Sequence, residues 1–352
     1  MSQEASVIKS IAERYFEVLE PVGAGQGVYR LQIVGVKAES PRQAFRSLYR
    51  DLIRAGYAPA IRGDGPRLYL FVTRYPQGQR LTTWAVLAAL TVLSVYVSGY
   101  YLMTAGGWGP LTPLLYTIGL LGPLLIHEVG HWIAMWRYNV PRSLPYLIPA
   151  PPLQFGFLGT LGAVINMRWV PATSDELALI GVAGPLAGFL AALPVAVIGI
   201  ETSVIKPASA VPPGSALTVV PVIMVLLLTL LRIPPWASVY MSPLAYAAYI
   251  VFFVTFLNLM PVGQLDGGHV IRAAIGMRGH TIVSIAFIII LLALGSYNLT
   301  LGLFGIIALA IFLLTRGRHP GPAIEDGGLT KTGLIAVILY GVLLALTIPI
   351  PA

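Results

Sequence analysis

Polarity divides this chain in two. From Leu81 onward, apolar runs near twenty residues recur at about 82–103, 114–136, 177–200, 243–262, 281–297, 299–315 and 332–349, with an eighth at 215–231. A helix of twenty residues rises about 30 Å, which matches the hydrocarbon core of a bilayer. Before Leu81 the pattern is that of a small globular unit. Ile8, Ile11, Ala12, Tyr15 and Val18 fall at helical spacing and predict an amphipathic helix over 3–20. Val28 to Val36 reads as a strand, and Ser40 as N-cap with Pro41 behind it opens a helix to about Ala55. Two short strands then flank the turn Arg62-Gly63-Asp64-Gly65. The expected fold is an α-helical polytopic membrane protein of about seven transmembrane helices, with a small α+β domain over 1–78 and a membrane domain over 79–352.

Two apolar stretches fit no simple span. Residues 144–170 alternate glycine with Phe, Leu, Val and Ile and are too apolar for an ordinary loop. Backbone near a bilayer must pair with something, so this run predicts a membrane-associated β-hairpin. Its edge, around Gly159, Thr160, Leu161, Gly162, Ala163 and Val164, would accept an extended peptide as an added strand. The run 215–231 raises a question of parity. A single full crossing there would carry the end of 243–262 away from the end of 114–136. Residues 215–242, broken by Pro221, Pro234 and Pro235, are therefore expected to form a re-entrant or hairpin element.

Composition sharpens the class and the orientation. Hydrophobic residues are 57% of the chain and charged residues 10%, which excludes a soluble globular protein. The net charge is +8, and 12 of the 22 Lys and Arg lie in residues 1–80, which places the N-terminal domain in the cytoplasm. Those arginines are interleaved with Glu39, Asp51 and Asp64, a pattern that argues against nucleic-acid binding. With no cysteine, any metal must be held by His, Asp or Glu. The first twenty residues lack an apolar core and predict neither a signal peptide nor a transit peptide.

The candidate chemistry lies inside the second run, at Leu124-Leu125-Ile126-His127-Glu128-Val129-Gly130-His131. On a helix, His127 and His131 share a face and can hold one metal ion, while Glu128 is placed to take a proton from a metal-bound water. The span assignment leaves Glu128 and Asp266 as the two carboxylates within or at the edge of a membrane helix. Charge there costs about 2.5–3.5 kcal/mol, so the two call for a shared reason. Asp266 lies in Asn258-Leu259-Met260-Pro261-Val262-Gly263-Gln264-Leu265-Asp266-Gly267-Gly268-His269, where Pro261 breaks the helix and the glycines permit an irregular backbone lining a cavity. Asp266 can complete a His₂Asp site with a fourth position for water. His269 reads as an outer-shell or surface histidine, and His280 and His319, at span ends among arginines, as solvated.

At these residues the chain resembles the site-2 protease family of intramembrane zinc metalloproteases. The resemblance rests on His127-Glu128-Val129-Gly130-His131, on Leu265-Asp266-Gly267 preceded by Asn258 and Pro261, and on Ala183-Gly184-Pro185-Leu186-Ala187-Gly188, and it covers roughly residues 114–275. Phe155 to Ile165 and Leu259 to Gly263 look most like the archaeal and chloroplast members, which lack a PDZ domain. The resemblance implies one zinc ion held by His127, His131 and Asp266, with Glu128 as general base. It also implies single-span or signal-anchor membrane proteins as substrates, cleaved within the bilayer. Asn258 would contact the substrate backbone or the developing oxyanion, or else bridge helices. Gly181, Gly184 and Gly188 predict close packing of the third span against the two that carry the motifs. Two other classes remain: an ion or metal transporter, and a catalytically silent binder of membrane proteins. The first predicts ionisable groups spread over several spans, and the second a missing ligand or base. Oligomeric state is not legible, and a prokaryotic cell membrane is the expected location.

Overall fold

The computed structural model describes residues 3–351 except 24, 26, 65, 79, 208–218, 235 and 326. The N-terminal unit begins with α1 (Gln3–Ala12), β1 (Phe16–Val18), β2 (Val22–Gly23) and β3 (Tyr29–Val36), followed by α2 (Pro41–Arg54), β4 (Tyr57–Asp64) and β5 (Arg67–Arg74). Its strands form one antiparallel sheet in the order β1-β3-β5-β4, with β2 also on β3. The Ser40 hydroxyl accepts from the Gln43 N–H and caps α2. Ala44, Phe45, Leu48, Tyr49, Leu52 and Ile53 then form a single buried stripe on that helix. It packs with Ile8, Leu31, Leu70 and Val72. The helix expected over 3–20 stops at Ala12. Phe16 instead pairs with Val36, and Lys37 N–H reaches the Tyr15 carbonyl, so sheet pairing overrides the helical spacing of Tyr15 and Val18.

This core does not close on itself. Trp169, Val170, Ala172, Ala323 and Ile324 join it from the rest of the chain. Ile61 N–H donates to the Ala323 carbonyl at 2.8 Å, and the Arg62 guanidinium caps the carbonyls of Pro322 and Ala323. The segment 322–324 in turn bonds to Pro171 and Ala172.

The remaining elements are α3 (Leu81–Gly106), α4 (Thr112–Arg137), β6 (Tyr146–Pro149), β7 (Thr160–Val164), α5 (Ser174–Glu201), β8 (Val204–Pro207), β9 (Val219–Pro221), α6 (Val222–Leu230), β10 (Ala237–Tyr240), α7 (Pro243–Leu259), α8 (Asp266–Leu294), α9 (Leu299–Leu314), α10 (Lys331–Thr347) and β11 (Pro349–Pro351). Among the described residues four helices, α3, α4, α5 and α8, are long and apolar enough to cross a membrane. The apolar helices α7, α9 and α10 have 17, 16 and 17 residues. Leu93 on α3, Ile282 and Ile289 on α8 and Ile306 on α9 turn outward into apolar surface, as a bilayer requires and water does not reward. Within 215–242, α6 has nine residues and β9 and β10 pair with β11 and β8; residues 215–218 and 235 lie outside the described ones. Residues 146–164 do form a two-stranded antiparallel ladder, β6 on β7.

α8 starts well before the apolar run at 281–297. Arg272, Arg278 and His280 dilute its first half, so hydropathy alone sees only the second. Gly276, at φ 71° and ψ −175°, interrupts the helix between the two halves, a conformation that favours glycine.

α5 is the central helix, packed against α4, α6, α7, α8 and α10. It begins at Ser174, earlier than expected, and takes Asp175 and Glu176 into its first turn. Both are buried, which corrects the reading that only Glu128 and Asp266 lie in or beside a span. Each is partnered from outside the bundle. Asp175 accepts from Thr330 and pairs with Arg42 at 2.9 Å; Glu176 accepts from Arg46 Nε at 2.7 Å and from Ala172 N–H at 3.0 Å.

The 5% exposed Glu176 side chain leaves little room for water to replace Arg46. Arg46→Ala is expected to cost about 1–3 kcal/mol, the penalty for a buried charged acceptor that loses a donor. Glu176→Gln, which keeps an acceptor for Ala172, should cost less. Thermal unfolding in detergent checks this, and an unchanged midpoint for Arg46→Ala would show that the pair does not anchor α5.

Candidate metal centre

The site is assembled by α4, α5, the β6–β7 ladder and the turn from α7 into α8. One helical turn separates His127 from His131, so their rings stack up the same face of α4, centroids 4.8 Å apart. Asp266 opens α8, where a carboxylate meets the positive end of the helix. The three donors converge. His127 Nε2 and His131 Nε2 lie 3.1 Å apart; Asp266 Oδ2 lies 3.2 Å from the first and Oδ1 3.2 Å from the second. One ligand atom from each residue can be chosen with all three within 4.8 Å of one another, close enough to share one ion. Two imidazoles with one carboxylate suit zinc.

The surroundings orient the donors. His131 Nδ1 meets the Ile180 carbonyl at 2.8 Å; the carbonyl can only accept, so Nδ1 carries the proton and the Nε2 lone pair faces the other donors. Glu128, next on α4, brings Oε1 to 4.0 Å from His127 Nε2. His127, Glu128 and His131 are all buried. A cavity of about 220 Å³ opens on them, lined also by Ala163, Val164, Asn258, Asp266 and His269, with room for water.

α5 reaches this site only because it lacks side chains there. A Cβ on Gly184 would strike the His131 imidazole, one on Gly188 would sit 2.8 Å from His127 Cβ, and one on Gly181 would sit 2.9 Å from the Asp266 carbonyl. The spacing of these glycines thus serves the approach of α5 to both α4 and α8. Gly267 and Gly268 are helical and do not form an irregular cavity wall. A Cβ on either would strike the carbonyls of the preceding turn, Leu259 for the first and Gly263 for the second, so they let that turn fold tightly onto α8.

Asn258, in the last turn of α7, lines the cavity as its position suggested. β7 is paired with β6 alone among the described residues, with Leu161 and Val164 exposed and Ala163 and Val164 at the cavity. The Gly162 N–H is satisfied by the Thr160 hydroxyl. The histidines outside the motif are the clear departure from the sequence reading. His269, His280 and His319 are all buried, none at the surface, and they gather into one cluster. The chain beyond α9 folds back against α8, a long-range contact with no local signature. One clue was available: His269 lies three residues after Asp266, on the same helical face.

A family model described as Peptidase family M50 matches residues 115–301. The chain is 32% identical over 174 residues to "Probable zinc metalloprotease EGY1, chloroplastic" of Arabidopsis thaliana, covering 47% of this chain and 30% of that protein. Its counterpart in Oryza sativa subsp. japonica is 33% identical, over 47% of this chain and 28% of that one. "Probable zinc metalloprotease EGY2, chloroplastic" of Oryza sativa subsp. indica is 24% identical over 260 residues, 67% of this chain and 42% of that protein. The chain thus spans less than half the length of these relatives. No solved structure matches it.

Gly184→Ala should displace His131 and lower the zinc bound per chain, by elemental analysis of folded, detergent-purified protein. Gly122→Ala on α4, where a Cβ meets nothing within 4 Å, is the matched control and should bind as the parent does. Equal zinc in both variants would show that α5 does not set the position of the histidine.

Proposed function

The chain belongs to peptidase family M50, and on that premise we propose that it is an intramembrane zinc metalloprotease that hydrolyses peptide bonds within or near the spans of membrane proteins. The observation that carries this reading is the convergence of two imidazole nitrogens 3.1 Å apart with an Asp266 oxygen 3.2 Å from each, a glutamate beside them, buried in an apolar bundle yet open to a cavity. His127, His131 and Asp266 are the proposed ligands. Zinc held there would polarise a peptide carbonyl and acidify a water near neutral pH. Glu128 would take a proton from the attacking water and pass it to the leaving amine. Glu128 and Ile165 both line the cavity. Asn258, which lines the cavity, would hydrogen-bond the substrate backbone or the developing oxyanion.

The proposed substrates are single-span or signal-anchor proteins, which enter as extended strands along β7. A helical peptide bond is shielded by its neighbours, and pairing with a strand edge holds it open. The seven spans are proposed as α3, α4, α5, α7, α8, α9 and α10. α6, about 14 Å long, is too short to cross and fits a re-entrant element. Residues 1–78 form the proposed cytoplasmic domain, consistent with its Lys and Arg content, and the site then faces the cytoplasmic half of a prokaryotic cell membrane.

Glu128→Gln should keep about one zinc per chain and lose cleavage of a single-span substrate by roughly 10²–10⁴-fold. Asp266→Ala should lose both zinc and cleavage. Undiminished cleavage by Glu128→Gln, or by protein stripped of zinc, would refute the assignment.

A further inference from the structure

The buried histidine cluster has a directional hydrogen-bond order. Gly321 N–H donates to His319 Nδ1 at 3.0 Å, so that nitrogen carries no proton and the proton of a neutral ring resides on Nε2. His319 Nε2 lies 2.6 Å from His269 Nδ1 and donates to it. His269 Nδ1 is therefore the acceptor, and its own proton is on Nε2. Among the described residues that second nitrogen has no hydrogen-bond partner, yet it is not sealed from the surface, and it belongs to a side chain lining the metal cavity. The tautomer is set from the backbone outward, and the free N–H is that of a cavity-lining ring.

Burial and the neighbouring charges favour a neutral His319. Burial first, then the adjacent imidazoles of His269 and His280 and the guanidinium of Arg272, hold His319 far below the usual imidazole range. Arg272 is itself paired with Glu325, so no carboxylate is left over to draw a proton onto His319. His280 is held apart from the relay, its Nε2 on the Gly263 carbonyl at 3.1 Å.

We propose that His269 Nε2–H donates a hydrogen bond to the substrate carbonyl oxygen as negative charge builds on it, and that His319 is the positioning residue that fixes the required tautomer. This inference rests on the protease reading above. The step transfers no proton: the carbon–oxygen π pair moves onto oxygen as water attacks, and the His269 N–H stabilises it in place. A preorganised donor of this kind in a site that excludes most water acts on the transition state more than on the bound substrate. Helix geometry supports the aim, because His269 stands one turn beyond Asp266 on the same face.

The experiment combines kinetics with imidazole ¹⁵N NMR on the full chain in detergent. His269→Ala should retain zinc and lower kcat by about 10²–10³-fold with little change in KM. His269→Gln, whose amide reaches a similar point, should recover part of that loss. His319→Ala should lower kcat by a smaller factor, with rescue by His319→Gln. In the parent protein the spectrum should show His269 protonated at Nε2 alone, and His319→Ala should mix its tautomers. A His269 ring protonated at Nδ1, or a kcat for His269→Ala equal to that of the zinc-loaded parent, overturns the inference and leaves the protease reading standing. A parent that binds zinc but fails to cleave, or that cleaves without Glu128, overturns the protease reading and the inference with it.

Discussion

Two imidazoles and a carboxylate from two helices must converge inside an apolar bundle, Nε2 to Nε2 at 3.1 Å and a carboxylate oxygen 3.2 Å from each, and the rest of the structure follows from that demand. Helices in lipid gain little from hydrophobic burial against each other, so their spacing is set by van der Waals contact and polar links. α5 meets the demand by presenting backbone where a side chain would stand, at Gly184 to His131 and Gly188 to His127. Such a contact tolerates no slippage along the helix axis. The polar anchors at the start of α5 supply the register, because Asp175 and Glu176 are clamped by Arg42, Arg46 and Thr330. From Glu176 to Gly184 is eight residues, about 12 Å of rigid helix. The N-terminal unit, which contributes both arginines, is thus mechanically tied to the depth at which α5 touches the histidines.

The segment 319–325 is a second tie. Its middle bonds to Ile61 and Arg62 of the N-terminal sheet and to Pro171 and Ala172 ahead of α5. Its start carries His319 against His269, and its end places Glu325 on Arg272. Few of these contacts are close in sequence. They join the sheet, the entry to α5 and the first half of α8 around one strap, so the membrane helices and the N-terminal unit share packing that neither builds alone.

What was legible in the chain was what local periodicity encodes. The pair His127 and His131, the N-cap at Ser40, the hairpin near 146–164 and most apolar helices are short-range patterns, and the structure places them within a few residues of where spacing puts them. Legibility failed where distant segments decide the outcome. Residues 16–18 have helical spacing but find a sheet partner in β3. Asp175 and Glu176 look like loop carboxylates until Arg42 and Arg46 arrive from 130 residues away. His319 looks solvated among arginines, yet Arg272 is taken by Glu325 and the ring is buried against His269. The glycines at 267 and 268 invited an irregular backbone because sequence shows their freedom and not the carbonyls that crowd them.

On the proposed reading, the end of one strand also settles where a substrate strand must stop pairing. A peptide unwound in lipid exposes amides that cost several kcal/mol each unless they find partners. β7 offers those partners along its edge, and its last residues, Ala163 and Val164, reach the cavity. The strand itself ends there, at Val164, and Ile165 already lines the cavity. Strand addition can therefore run to Val164 and no further. The first substrate peptide group beyond that limit has no edge to bind, and it lies beside the base and the three donors. An amide left without a backbone partner is the one whose carbonyl is available to a metal and whose carbon is open to water, so the end of the ladder selects the bond to be cut.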